Sequence, residues 1–386
     1  MSSHYLQFQK VAVDRVERVR AKLGCRDHKH TSSGSSPSTQ ERSQLLNSLK
    51  TCKAKPTELV ERHHAKDLPL DTFLRKHEKL CRPVVIQGLL DEWKALERWS
   101  LYNLVSKHSD CEFNVGRDHN LEKVTIKMKY FAYYLKEYKE PTPLQIADDL
   151  GDGAKRRLRE DYDVPSYFKD DMFKYARDAD LPPTRCFNLG PPLAGDRIQT
   201  NPLQCNLWSA LVHGTRRWCL FPHHVPEDLL CHDYGNHRTR KDRRLESAVA
   251  WFDKVYPKTQ SSRWPRYFKP LEIIQAPGEV VFVPAGWWYV SINLDVCVVI
   301  SHHHCSPSKL AHAWPRLVRN HKKLERNWYE LLRRRRPEVA VLVPPRKSRR
   351  SSESYTETRS KTVDTMTSCT TDFDKDGSEE LFSDNS

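Results

Sequence analysis

His302, His303 and His304 run consecutively ahead of Cys305, and imidazole beside thiol is a donor set that zinc accepts. On a strand, His302 and His304 share one face and His303 takes the other, so a new metal site there needs further ligands from Cys297, Cys205 or His213. Consecutive ligands are an unspecific signal, and pocket-lining histidines are commoner than ligands. The pairs His223-His224 and Cys231-His232 carry a weaker form of the same signal in loop sequence. The 11 cysteines are scattered singly with no C-x-x-C pair, which argues against a zinc ribbon or a thioredoxin-like site. There is no G-x-S-x-G elbow, no G-x-x-x-x-G-K-[ST] loop and no G-x-G-x-x-G opening a helix after a strand, so the hydrolase and nucleotide-binding signatures are missing. Trp208, Trp218, Trp251, Trp264, Trp287 and Trp288 read either as core or as a platform for stacking bases.

Charge sets the setting for that chemistry. The chain of 386 residues carries a net +14, yet its last 36 residues hold nine acidic and three basic side chains, so +20 falls on the residues before Ser351. A basic body with an acidic tail suits life among polyanions such as nucleic acid or chromatin. Arg333 to Arg336 and then Arg346, Lys347, Arg349 and Arg350 form two basic clusters on either side of Pro344 and Pro345, the pattern of a bipartite nuclear import signal or a phosphate-binding arm. The tail beyond, with 15 Ser or Thr in 36 residues, is expected to be disordered and open to phosphorylation. No stretch approaches the length of a membrane-spanning helix, and charges interrupt the N-terminal residues where a secretory signal needs an apolar core. The cysteines are therefore expected to stay reduced, and an integral membrane protein is not expected.

The elements that position these residues follow from periodicity. Residues 1–55 read as a flexible leader, because 27–51 is too poor in bulky apolar residues to bury a core. From 56 to 184 the pattern mixes helix and strand: LPLDTFLRKHEKL is helical, RPVVIQGL is a buried strand ended by Gly88, and VTIKMKYFAYYLKEY passes from strand to a helix with Phe131, Tyr134 and Leu135 on one face. Residues 185–305 are a succession of short β-rich runs closed by turn residues, the signature of a sandwich or jelly roll. Residues 306–345 form a helical extension with Trp314, Leu317, Leu324, Trp328 and Leu331 as apolar positions, packing on the barrel or on a second copy, and 346–386 is the tail.

The segments GPPLAGDRIQTNPLQCNLWSALVHGTRRWCLFP and FKPLEIIQAPGEVVFVPAGWWYVSINLD resemble the core of a jumonji (JmjC) domain, especially its nuclear lysyl-hydroxylase and arginine-demethylase group. RPVVIQG, KMKYF, RLREDYDVPSYFKDD, AWFDKVYP and NWYELL extend the match from about Val60 to Leu342. The resemblance implies a mainly β fold, a double-stranded β-helix of jelly-roll or cupin type with N-terminal helices and a C-terminal helical extension. It also implies Fe(II) held by two histidines and a carboxylate, with 2-oxoglutarate as cosubstrate. The family's His-x-Asp pair falls on Gln199, Thr200 and Asn201, and its last ligand on Tyr289. Its oxoglutarate-binding lysine falls on Arg216, its hydroxyl partner on Ser301, its asparagine on Ser209 and its upstream tyrosine at about Glu122.

Neutral amides and a phenol cannot supply the charge of the original ligand set. The expectation is therefore a catalytically degenerate member without confident catalytic residues, without bound cofactor, acting in the nucleus as a binding module for basic or Arg/Ser-rich proteins, histones or RNA. The alternative is an active oxygenase, hydroxylating lysine or demethylating arginine with Fe(II) and 2-oxoglutarate at a rearranged metal site. A role in apoptotic-cell engulfment and a homodimer through the C-terminal helices remain as further readings.

Overall fold

In the computed structural model the described residues are 3–24, 39–51, 60–138, 142–151, 153–176, 181, 183–231, 247–319 and 321–343. They belong to one compact unit, Met1–Pro345. The tail, the second basic cluster and His232, singled out in the sequence, lie outside them.

Two sheets face one another. One has four strands, β10 (Leu271–Gln275), β9 (Arg216–Phe221), β12 (Trp288–Asn293) and β7 (Gln199–Thr200), in that order. The other has seven, in the order β1 (Arg62–His64), β2 (Val84–Gln87), β11 (Val280–Val283), β8 (Asn206–His213), β13 (Cys297–His304), β6 (Arg185–Gly190) and β5 (Ile146–Asp148). β1 and β2 run parallel and the other pairings are antiparallel. β3 (Glu112–Arg117) and β4 (Lys123–Lys127) form a separate hairpin. The β-helix is thus wider than residues 185–305: three strands of the preceding part complete its larger sheet at both edges.

Strand alternation divides the core. Trp218, Leu220 and Tyr289 point between the sheets with Val85, Leu207, Ile273 and Val281. Their neighbours Cys219, Phe221, Val290 and Ile292 point outward, under helices 248–254 and 256–260. The outward face of the larger sheet, including Trp208, Phe282 and Ile300, is covered by helices 101–108 and 128–137 and their connections. The six tryptophans read as core or stacking platform are all 9% exposed or less; Trp218, Trp251 and Trp288 lie in the core, while Trp208, Trp264 and Trp287 also line clefts.

Two expectations need correction. The leader is not bare: Ser3–Lys22 and Thr39–Thr51 are helices. Ala12, Val16 and Val19 form a narrow buried stripe on the first, whose Phe8 ring lies 6.0 Å from Tyr130, and Leu49 is buried on the second. Such polar helices gain their stability from one apolar stripe docked on an existing surface, which composition over a window does not register. In the extension, helices Pro307–Leu317 and Lys322–Arg335 pack on Met172, Phe173, Cys205 and Cys305, and it is Leu332 rather than Leu331 that faces them. Leu324, Trp328 and Leu332 then stack four residues apart on one stripe.

Candidate functional site

Of the positions the resemblance singles out, Gln199, Tyr289, Ser301, Ser209 and Arg216 meet between the sheets because they sit on the inward parity of their strands. Tyr289 lies opposite Gln199 in the β12–β7 pair, and Ser301 lies opposite Ser209 in the β13–β8 pair. Gln199, Tyr289 and Ser301 line one cavity of about 360 Å³, together with Asp196, Cys186, Arg185 and His303. Ser209 is fully buried just behind, its hydroxyl 2.9 Å from that of Ser301.

Asn201 is not brought to the cavity. Its Oδ1 accepts the Leu203 amide at 2.9 Å, and its Nδ2 donates to the Asn206 carbonyl at 3.2 Å and toward Cys205 Sγ at 3.5 Å. The side chain is thereby spent on fixing the turn after β7. Tyr289 is buried, and loss of water contact, reinforced by the Asp196 charge, drives its phenol well above the ordinary range, so it stays protonated. Gln199 offers only a neutral amide. As they stand, these three side chains do not suit divalent iron, which wants imidazole and a carboxylate at this corner.

Arg216 is 1% exposed and turned to the inner face. Its Nη2 donates to Asp196 Oδ2 at 2.6 Å and to Ser291 Oγ at 2.6 Å, and its guanidinium lies 5.0 Å over the Trp218 ring. Asp196 is clamped in turn: Ser291 Oγ lies 2.9 Å from its Oδ2, and the Ser291 amide donates to the Asp196 carbonyl at 3.0 Å. Gly195 makes this approach possible, since a Cβ there would sit 2.0 Å from the Ser291 carbonyl oxygen. The result is that a carboxylate of the protein occupies the arginine that a dicarboxylate would need. The cavity wall shows Asp196 rather than Arg216.

Glu122 is exposed in the β3–β4 turn and does not line the cavity; Asn114, Arg117 and Lys123 of the same hairpin do. The three histidines divide as strand geometry requires. His302 stacks on Trp208 with ring centres 4.3 Å apart and meets the Tyr162 hydroxyl at 3.0 Å, while His304 lies 3.3 Å from the Asp170 carbonyl. His303 turns into the cavity, where burial, only partly opposed by Asp196, pushes its pKa down to about 4. These histidines do not gather with other donors at metal-binding distance among the described residues; the group that does is Glu61, His63 and His77.

Sequence reading missed Asp196 and that group of three. A buried arginine needs a partner, and Asp196, inside the same motif stretch, was the signal available. For the second, the alternate pair Glu61-x-His63 before a strand was visible, but nothing in the sequence ties it to His77.

A larger cleft of about 930 Å³ adjoins, sharing Asp149, Pro183 and Arg185 with the cavity, and is lined further by Asp163, Lys169, Lys174 and His302. Of the first basic cluster, Arg336 pairs with Asp170 and Glu338, each at 2.6 Å, and Arg333 pairs with Glu330 at 3.0 Å. No helix among the described residues is long and apolar enough to cross a membrane.

Residues 69–309 match the model of the cupin-like domain. The chain is 36% identical over 289 residues to the bifunctional arginine demethylase and lysyl-hydroxylase psr-1 of Caenorhabditis elegans, covering 74% of this chain and 70% of that protein. Its Caenorhabditis briggsae counterpart is 37% identical over 74% of this chain and 71% of its own length. The arginine-specific demethylase JMJ22 of Arabidopsis thaliana is 31% identical over 63% of this chain and 46% of its own length. The facing sheets, the inward site positions and these matches agree: the chain belongs to the cupin-like JmjC family.

Proposed function

We propose that this protein is a JmjC-fold binding module that has given up iron-dependent oxygenation and acts in the nucleus. The observation that carries the reading is the Arg216–Asp196 pair, which fills the cosubstrate's anchoring point from within at 2.6 Å, beside a ligand corner reduced to Gln199 and Tyr289. A buried arginine already neutralised by a clamped carboxylate gains little from a second anion, which must displace the first and leave it desolvated. Arg216, Ser301 and Ser209 are then framework around a cavity, with no 2-oxoglutarate between them.

The partner class follows from two supports. The names of the relatives, demethylase and lysyl-hydroxylase, concern arginine and lysine side chains, while the net +14 of this chain favours polyanions. An Arg/Ser-rich protein segment meets both once its serines are phosphorylated. Histones and RNA are the partners that meet one support each. The cleft lined by Asp149, Asp163, Lys169 and Lys174 offers charges of both signs to such a segment.

The second reading, an active oxygenase with a rearranged metal site, is favoured by the 36% identity to the C. elegans protein across 74% of the chain. Anaerobic calorimetry with 2-oxoglutarate, with and without Mn(II), separates the two. The binding-module reading expects no Mn(II)-dependent uptake of 2-oxoglutarate. Uptake that needs both, with succinate formed on admitting Fe(II) and oxygen, overturns it. Metal uptake indifferent to 2-oxoglutarate bears on neither reading.

A further inference from the structure

At the edge of the larger sheet, far along the strand order from the cavity, Glu61, His63 and His77 place one ligand atom each within 4.8 Å of one another. Glu61 and His63 reach the same side because they are alternate residues entering β1, whose register is held by β2 through the Val85 amide on the Glu61 carbonyl at 2.9 Å. His77 comes from the opposite direction, on the π-helical turn Leu74–Lys79 that continues the helix Leu70–Phe73. A π turn shifts the side chains after it relative to an α-helix, and such turns recur where a residue must be aimed. His63 Nε2 and Glu61 Oε2 are 3.2 Å apart, and the His63 and His77 rings meet edge to face at 5.7 Å.

His77 makes the cluster unusual. It is 1% exposed, and neither of its ring nitrogens makes a hydrogen bond of ordinary geometry. An imidazole stripped of water, with only an irregular contact to the Arg82 backbone, is costly, of the order of 1–3 kcal/mol for each unmet polar group. Neutral imidazole is the form that binds a metal.

We propose that Glu61, His63 and His77 form a zinc site, a function separate from the cavity of the β-helix. Two imidazoles and one carboxylate are three protein ligands, leaving a fourth tetrahedral position for water or a partner's side chain. With zinc bonds of about 2.0–2.1 Å, ligand atoms in a tetrahedron stand about 3.3 Å apart. The Glu61–His63 pair, 3.2 Å apart, already has about that spacing, and a separation at the 4.8 Å limit has to close by about 1.5 Å. Glu61 and His63 are partly exposed, at 61% and 36% of their side chains, so the ion has a path in and the side chains have room to turn. The Arg82 guanidinium, close enough to act on Glu61, and the Lys76 ammonium, close enough to act on His77, are positive charges that oppose the ion. Bound zinc ties β1 to the helical turn after Phe73 and satisfies His77.

The test is titration of the full-length, reduced protein with Zn(II), with Co(II) as spectroscopic reporter. The expected result is one tight equivalent beyond whatever the thiols hold, with Co(II) bands of nitrogen and oxygen ligation. At zinc a hundredfold above Kd, thermal unfolding should move upward, and His63→Gln and Glu61→Gln should each weaken uptake at least tenfold. His63 and Glu61 are surface-accessible, so these variants keep the test valid if His77→Gln fails to fold. Uptake unchanged in both variants, or Co(II) spectra dominated by thiolate charge transfer, would overturn the proposal. The readout needs no 2-oxoglutarate, so its failure is distinct from failure of the binding-module reading.

Discussion

The cavity of the β-helix and the edge of its larger sheet invert one another. The cavity lies between the two sheets and its side chains are already engaged: Asn201 is tied into a turn, Tyr289 is held protonated and Arg216 is paired with Asp196. The edge has ligand chemistry without the family's architecture, in a strand pair of alternate residues and one unsatisfied histidine. Position in a fold and chemical competence are therefore separate properties, and only the side chains and their existing partners decide the second.

The strongest way to break this contrast is to rebuild the cavity. Changing Gln199→His, Asn201→Asp and Tyr289→His together should create Mn(II) uptake, measured by calorimetry on a background of His63→Gln. The same triple change should cost about 3–5 kcal/mol of stability without metal, because the turn loses the Asn201 donors and the space of Tyr289 is left partly empty. No gain of Mn(II) binding in a folded triple variant would mean that more than the three ligands has been lost.

Zinc at the edge should raise stability by about 2.7 kcal/mol at a hundredfold excess over Kd, read by denaturant unfolding. The same zinc concentration should stabilise Glu61→Gln by no more than about 1.4 kcal/mol, the value for a site tenfold weaker. A smaller effect belongs to Asp196→Asn, which uncovers Arg216. Stability should fall by about 1–3 kcal/mol, less than for a fully buried pair because Asp196 is 25% exposed, and weak dicarboxylate binding should appear by calorimetry. If dicarboxylates still fail to bind, the pair is not what keeps them out.

Acid offers a gentler probe of the cavity. Folded His303 takes up a proton only near pH 4, whereas an unfolded histidine does so near 6.5. Between these values the unfolded chain binds more protons, so stability is full above about pH 6.5 and falls as pH drops toward 4. Buried His302, also held low, acts in the same direction. Melting points across that window should decline less steeply in His303→Gln than in the parent; parallel curves would count against a buried, neutral His303. The smallest effect is expected for Glu122→Gln, within about 0.5 kcal/mol and with no change in ligand uptake, because the residue stands outside the cavity.

Much of the cavity was legible beforehand for one reason. Side chains on strands alternate strictly, so once the β-rich runs are placed, Tyr289, Ser301, Ser209 and Arg216 must share the inner face and His302 and His304 must leave it. Turn chemistry is less regular: the hydrogen-bonding demand of the turn after β7 took Asn201 out of the site although it lies two residues from Gln199. The helices at 3–22 and 39–51 escaped notice because their stability comes from the surface they dock on.

The sequence by itself determined the family and the two-sheet architecture, since these depend on residue identity and local period. Only the tertiary structure decided that Asp196 closes on Arg216 across 20 residues, and that His77 is carried by a π turn to Glu61 and His63. Both depend on backbones approaching over long separations, through the missing Cβ of Gly195 in one case and the β1–β2 register in the other. No local pattern encodes such an approach, because it is fixed by the packing of elements that are far apart in the chain.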